Sequence, residues 1–315
     1  MATVLISEKV AEEGIQFLKE KGYTIKKGRG TDKAAVMEDL AGCDAIMVRT
    51  IKIDGEVLDR APKLKVVAKH GVGVDNIDIE AAKKRGCRVV YTPVANTLSV
   101  AEHAITLMCA CAKRLVYKMP EYSKGNYAIK DSCPGTELFG KTLGLIGAGR
   151  IAREVARIAK NGFRMRVLAF DPYVPAGSLG ETPELAGREK VLAESDYISI
   201  HMPSTKETAR SFTEKDFSLM KKTAWLINTA RGTIVDEKAL IEALRSGKIA
   251  GAALDVSDPE PAAKSSPLFA MDNVIMTPHC AGAAAEAMVR MATDAAKGID
   301  EVLSGKEPTY PYPGA

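Results

Sequence analysis

Long apolar runs are missing from this sequence. No segment approaches the ~18 consecutive apolar residues needed to span a bilayer, so a membrane partner is not expected. The first residues, MATVLISEKV, enter a strand directly, with neither a basic n-region nor a long apolar h-region, and no signal peptide is expected. Paired cysteines are missing too. Cys43, Cys87, Cys109, Cys111, Cys133 and Cys280 include no CxxC, and the Cys109–Cys111 spacing in an apolar helical run is poor for a metal. They read as buried reduced thiols, with no metal site expected and a reducing cytoplasm as the compartment. Charge of one sign is nowhere concentrated: the net charge is +4 with basic and acidic residues interspersed, which leaves no stripe for nucleic acid. Low-complexity segments and short internal repeats are absent as well. What is present, 46% apolar and 27% charged residues, describes a globular protein, and 315 residues exceed one typical domain, so two are expected. The mild positive balance favours a small anion as partner, weakly at physiological salt.

Strand and helix patterns alternate from the start. Thr3–Ser7 predicts a strand and Glu8–Lys21 a helix closed by Gly22. Short apolar runs follow at Ala45–Val48, Lys65–Ala68 and Arg88–Tyr91, with helical stretches between them such as Asp78–Arg85, closed by Gly86. Such a βαβ series implies a mostly parallel sheet covered by helices. Ser99–Lys113 reads as a long helix, with Asn96 or Thr97 as cap. From Val116 to Gly140 the pattern breaks down into a polar, turn-rich stretch, expected to be a hinge region or a dimer arm. A second α/β series starts at Lys141. Its strands are expected at Thr142–Gly147, Arg166–Asp171, Tyr197–His201, Ala224–Thr229, Gly251–Val256 and Asn273–Thr277, before a tail helix from about Ala284 to Leu303.

The sharpest local signal is TLGLIGAGRIAREVARIAKNG. A strand runs into Gly147-Ala-Gly149-Arg-Ile-Ala152, and a helix follows with Ile151, Val155, Ile158 and Ala159 on one face. In this GxGxxA pattern Gly147 permits a tight turn, Gly149 lets the backbone approach a pyrophosphate, and Ala152 keeps helix–strand packing close. The helix N-terminus stabilises the phosphate charge. The next strand ends in Asp171, roughly 20 residues on, where an acid binds the adenosine ribose hydroxyls. Its charge repels a 2′-phosphate and no Arg follows to receive one, so NAD is favoured over NADP. The plainer alternative is a packing turn with a solvated aspartate.

Three ionisable residues fall at or just after the ends of successive strand-like runs: Arg231 after LINTARG, Glu260 in GAALDVSDPEP and His279 in NVIMTPHCAGA. In open α/β sheets ligands bind outside the carboxyl ends of the strands. A guanidinium fork, a carboxylate and an imidazole suit an anionic substrate that must gain or lose a proton. Each has an alternative: Arg231 capping its strand and pairing with Asp236, Glu260 as a solvated loop acid, and His279 competing with His70, His103 and His201 for the role of base. His103 lies in an apolar helical run and reads as structural. His201 ends a strand near the expected cofactor crevice, where a cofactor contact and a packing role are both open. His70 sits in the glycine-rich KHGVGVD loop.

These motifs, in this order, closely resemble the D-isomer-specific 2-hydroxyacid dehydrogenases. The likeness covers nearly the whole chain: KVVAKHGVGVDNIDIEAAKKRG, ANTLSVAEHAITLMCACAKR, GLIGAGRIA, HMPST, NTARGTIVDEKAL, GAALDVSDPEP and TPHCAGA. The resemblance implies two doubly wound parallel-sheet α/β domains. One is a flavodoxin-like substrate domain, 1–97 plus 286–315; the other is an inserted Rossmann NAD-binding domain, 98–285. It further implies a cleft at the hinge and a homodimer through the Ser99–Lys113 helix and the following arm. Arg231, Glu260 and His279 take the catalytic positions. Gly147, Gly149, Arg150, Ile151, Asp171, His201, Thr229 and Ala230 fall on cofactor positions, and Asp255 on a contact to the nicotinamide amide. The Val72 and Gly73 backbone is implicated in carboxylate recognition, with His70 facing the substrate. Arg49 and Lys69 match places where phosphoglycerate dehydrogenases carry basic residues, which suits a second anionic group; ordinary surface charge is the alternative.

The implied chemistry is NAD-dependent hydride transfer to or from a 2-hydroxy acid, one with a second anionic group such as 3-phosphoglycerate, or a smaller acid of the lactate or glyoxylate type. A formate or phosphite dehydrogenase is the weaker expectation, since formate enzymes place glutamine where Glu260 stands. A NAD-sensing protein like the corepressors that resemble this family is a rival of another class, against which the absence of long flanking tails argues. No room is seen for a C-terminal regulatory domain, and feedback through one is not expected.

Overall fold

The computed structural model describes residues 1–175, 177–180 and 182–314. They divide into two compact units, 1–97 with 283–315 and 98–282, of which residue 315 lies outside the description.

The first unit alternates strand and helix: β1 (Thr3–Ile6), α1 (Glu12–Glu20), β2 (Thr24–Lys27), α2 (Lys33–Leu40), β3 (Ala45–Val48), α3 (Gly55–Asp59), β4 (Val66–Lys69), α4 (Ile79–Lys84) and β5 (Arg88–Val90). Its sheet is parallel in the order β2-β1-β3-β4-β5, the flavodoxin-like winding. β3 and β4 are buried at every residue, as strands covered on both faces must be. Three helices start on an aspartate that accepts a backbone N–H three residues on: Asp32 from Ala35, Asp54 from Val57 and Asp78 from Ala81. The C-terminal helix, Ala285–Leu303, belongs to this unit and lays Ala295, Ala296 and Ile299 into the core with Val4, Val66 and Val90.

One expectation is corrected here, and one element is new. The first helix begins at Glu12 and not at Glu8. The Glu8 carboxylate is drawn away to accept from the N–H groups of Arg49, Thr50 and Ile51 and from the Thr50 hydroxyl, and so bridges the ends of β1 and β3. Strand β2 went unpredicted because TIKK is a largely exposed edge strand without an apolar face.

Helix α5 (Thr97–Lys113) starts two residues before the expected Ser99, with Thr97 the last residue of the first unit's leading segment and the rest of the helix opening the second unit. The second unit continues through α6 (Leu115–Ser123) and α7 (Ile129–Ser132), where a turn-rich stretch was expected. Leu115, Val116, Met119 and Tyr122 recur at helical spacing, but Pro120 and the flanking polar residues mask the pattern, and no residue of α6 is buried. Then come β6 (Thr142–Ile146), α8 (Arg150–Phe163), β7 (Arg166–Phe170), β8 (Glu184–Leu185), α9 (Arg188–Glu194), β9 (Tyr197–Ile200), α10 (Glu214–Leu219), β10 (Trp225–Asn228), α11 (Glu237–Arg245), β11 (Gly251–Leu254) and β12 (Val274–Met276). The parallel sheet runs β12-β11-β10-β9-β6-β7-β8. The winding reverses between β6 and β9, which opens a crevice at their carboxyl ends. Buried residues of α5 and α8, among them Ala104, Met108, Ala152, Val155 and Ala159, cover one face of this sheet with Leu143 and Leu145. Among the described residues no helix is long and apolar enough to cross a membrane, and the cysteines are free.

Candidate functional site

The glycine turn sits at the winding reversal. Gly147 follows β6 with φ +101°, a conformation that L side chains resist, and a Cβ there would lie 2.8–2.9 Å from backbone atoms of His201 and Met202 after β9. Gly149 caps α8 with open space where its side chain would be, so nothing blocks a phosphate from the helix N-terminus. Arg150 is exposed and Ile151 half-buried at the first two helical positions. Asp171, just past β7, accepts from the Ala148 N–H at 2.9 Å and from the Tyr173 N–H at 2.9 Å. Its carboxylate thus pins the turn to the next strand, and further lone pairs remain for ribose hydroxyls. At the end of β10 the Thr229 hydroxyl is buried with no hydrogen-bond partner, beside half-buried Ala230. A buried orphan hydroxyl at this edge, with the open phosphate cradle, fits a dinucleotide.

His201 is held by its surroundings. Its N–H donates to the Ile146 carbonyl at 2.8 Å, and Nε2 hydrogen-bonds the Ser199 hydroxyl at 2.9 Å. Desolvation pushes its pKa down to about 4, so the ring is neutral.

Arg231, Glu260 and His279 follow β10, β11 and β12, three adjoining strands of one parallel sheet. The Arg231 turn is fixed by Asn228, whose side chain accepts from the Ala230 N–H at 3.0 Å and donates to the Arg231 carbonyl at 2.9 Å. Gly232 then presses against the Ser257 backbone so closely that a Cβ would lie 2.1 Å from its carbonyl carbon, which seats the arginine turn on the loop carrying Glu260. The Arg231 guanidinium donates to the Ala230 carbonyl at 2.7 Å. His279 has φ +49°, and its N–H donates to the Asp255 carbonyl at 2.8 Å. Its Nδ1 lies 2.7 Å from Glu260 Oε1. An ionised carboxylate only accepts, so the ring N–H donates at Nδ1 and Nε2 is left for a ligand. Both side chains are partly exposed, at 49% and 38%, which keeps that nitrogen accessible.

Asp255 anchors this corner. It is buried, and its Oδ1 accepts from the Thr277 hydroxyl at 2.6 Å and the Cys280 N–H at 2.9 Å, while Oδ2 accepts from the Ala281 N–H at 2.8 Å. Burial pushes its pKa up, but these bonds and one from His103 outweigh it and hold the group at about 2. Sequence reasoning did not find this role for Asp255 or the part played by Asn228. The signal was available in the polar residues that end β10 and β11.

The remaining expected positions lie in the first unit. Lys69 is buried, and its ammonium donates to the Arg49 carbonyl and, at 2.6 Å, to Asn76 Oδ1. Arg49 donates to the Lys9 carbonyl at 2.9 Å. Gly71 takes φ +146° and is tied to Thr92 by a pair of hydrogen bonds, and half-buried Val72 and Gly73 follow it. His70 is buried with Nε2 unpartnered; desolvation, helped by the Arg49 charge, lowers its pKa to about 4.

Winding, glycine turn and acidic strand end define a dinucleotide-binding α/β protein. Residues 105–281 match the model of the D-isomer specific 2-hydroxyacid dehydrogenase NAD-binding domain. The D-3-phosphoglycerate dehydrogenase of Archaeoglobus fulgidus is 40% identical over 306 residues, which are 96% of this chain and 57% of that protein. The chain thus spans little more than half the length of this relative. A crystal structure of a Thermus thermophilus protein shares 37% identity at a TM-score of 0.91, covering 98% of this chain and 99% of that one. A NADPH-dependent glyoxylate/hydroxypyruvate reductase from Sinorhizobium meliloti, solved with NADP and malonate, shares 28% identity at a TM-score of 0.88, covering 99% and 97%. The chain belongs to the D-isomer specific 2-hydroxyacid dehydrogenase family, and its second unit carries the NAD-binding domain.

Proposed function

We propose that this chain interconverts a D-2-hydroxy acid and its 2-oxo acid with NAD, and that the substrate bears a second anionic group as 3-phosphoglycerate does. The observation that carries the reading is the 2.7 Å pairing of His279 with Glu260 at strand ends adjoining the one that delivers Arg231. The nicotinamide, when bound, supplies or accepts the hydride. The protein's side chains do the rest. Glu260 fixes the imidazole through Nδ1, and Nε2 takes the hydroxyl proton in oxidation and returns it in reduction. Arg231 grips the carboxylate as a fork and polarises the 2-oxo group. Gly147, Gly149, Arg150 and Ile151 hold the pyrophosphate and Asp171 the ribose. His201, Thr229 and Ala230 contact the cofactor, and Asp255 contacts its amide. Val72 and Gly73 receive the substrate carboxylate through their backbone beside His70, and Arg49 and Lys69 receive the second anion.

Relatives named D-3-phosphoglycerate dehydrogenase support the second anionic group. One observation favours a smaller acid of the glyoxylate or lactate type instead: the Lys69 ammonium already donates to the Arg49 carbonyl and to Asn76 Oδ1. An NADH-oxidation screen of 2-oxo acids with and without a terminal phosphate separates the two. Turnover is expected to be highest with the phosphorylated acid and to drop about 10²–10⁴-fold in His279→Ala. No turnover with any acid would sink the enzyme reading and favour a NAD sensor.

The chain is further proposed to form a homodimer through α5 and the arm after it, in the cytoplasm. Leu115, Val116, Met119 and Tyr122 are exposed along α6, an apolar stripe that suits a second copy.

A further inference from the structure

Apart from the pair that handles the proton, the second unit gathers a different set of ligating atoms. His103 comes from α5, Asp255 from the end of β11 and Cys280 from the loop after β12, and one donor atom of each lies within 4.8 Å of the others. His103 Nε2 is 3.5 Å from Asp255 Oδ1, and Cys280 Sγ is 3.6 Å from the same oxygen. Zinc bonds of about 2.0–2.1 Å to nitrogen or oxygen and about 2.3 Å to sulfur give tetrahedral edges of about 3.3–3.6 Å. The two separations fall in that range, so the three side chains stand at a spacing that a zinc ion accepts.

From this geometry we propose that His103, Asp255 and Cys280 form a binding site for Zn²⁺ or a similar thiophilic divalent cation, closed by water. Thr277 Oγ1 lies 3.3 Å from His103 Nε2 but donates to Asp255 Oδ1 at 2.6 Å, so it steadies the carboxylate and leaves the fourth position to water. The donor set selects the metal class, since imidazole and thiolate favour zinc over magnesium or calcium. Charge balances too. One carboxylate and one thiolate neutralise a dication, as a half-buried site requires. Binding exchanges the thiol proton of Cys280 for a metal–sulfur bond, and the proton passes to solvent. The ligands are preorganised, because Asp255 is already fixed by Cys280 and Ala281 N–H groups and His103 stands on a helix. His103 keeps its side chain 20% exposed, whereas that of Asp255 is fully buried. A bound ion would join α5 to the loop that carries His279.

The test is titration of the chelator-stripped full chain with Co²⁺, followed by near-ultraviolet absorption, then displacement by Zn²⁺. One equivalent of Co²⁺ with a thiolate charge-transfer band, removed by Zn²⁺, is expected. Cys280→Ser should lose the band while keeping a native circular dichroism spectrum; Cys280→Ala serves if the serine variant misfolds. His103→Gln should weaken Zn²⁺ binding about tenfold or more. No band in the unmodified chain overturns the site, as does a band that survives loss of Cys280. Zn²⁺ binding that vanishes in His279→Gln but persists in His103→Gln would place the ion on the His279–Glu260 pair and equally overturn it.

Discussion

At the scale of single residues, Asp171 carries two duties. It receives the Ala148 and Tyr173 N–H groups and so shapes the glycine turn, and it presents its charge where an adenosine ribose is proposed to lie. A 2′-phosphate set against that carboxylate meets like-charge repulsion worth several kcal/mol. NAD should therefore outperform NADP by at least about tenfold in kcat/KM, and Asp171→Ala should narrow the ratio. Equal use of both cofactors by the unmodified chain would discard the assignment. The neighbour solved with NADP makes this comparison informative, because the fold tolerates either cofactor. His279 and Glu260 stand differently. Each lies in a loop, and the pairing of an imidazole with a carboxylate between two prolines follows from no local pattern. Only the adjacency of β11 and β12 makes them meet.

At the scale of elements, the β6–turn–α8 unit was the most legible part. A strand, GxGxxA and an amphipathic helix name their own geometry, since each glycine answers a steric demand that can be read locally. The tertiary structure adds the reason at Gly147: the His201 backbone lies against it. Gly147→Ala combines an unfavourable φ with that collision, so we expect a loss of about 1–3 kcal/mol in stability and a marked loss of NADH affinity. Urea denaturation and cofactor fluorescence check both, and an alanine variant as stable and as tight-binding as the parent would refute the packing account. Helix α6 was the least legible element. Its apolar stripe faces outward, so nothing in its own sequence separates it from an irregular arm. If that stripe is a dimer face, Met119→Glu should shift light-scattering mass toward the monomer; an unchanged mass would remove α6 from the interface.

At the scale of the whole molecule, two desolvated histidines set its response to acid, one in each unit. His70 and His201 are both pushed down from the ordinary 6.5 to about 4, chiefly by desolvation. Each is neutral in the fold, whereas the unfolded chain takes up the protons below pH 6.5. Stability should be level above that pH and fall as it drops from 6.5 to 4, by up to about 1.4 kcal/mol per pH unit for each histidine. Asp255, held at about 2, adds a second loss from near pH 4 downward, because its carboxylate must be ionised to receive its four donors. Urea midpoints measured between pH 7.5 and 4.5 should decline in step; a flat profile would mean that both rings are charged, or solvated, in the fold.

The sequence alone determined the alternation of strands and helices, the parallel sheets, the cofactor turn and the acid after it, because these depend on periodicity and on backbone sterics within a few residues. Tertiary structure decided which loops adjoin. It set Glu260 against His279, turned the Lys69 ammonium toward Arg49 and Asn76, and drew Glu8 out of its helix to bridge two strands. It also placed His103, Asp255 and Cys280, far apart in the chain, at ligand spacing. The physical reason is the same throughout. Local sterics act within a turn or two of chain, whereas a hydrogen bond or a metal site needs donors from separate strands, and only strand order in the folded sheet brings those together.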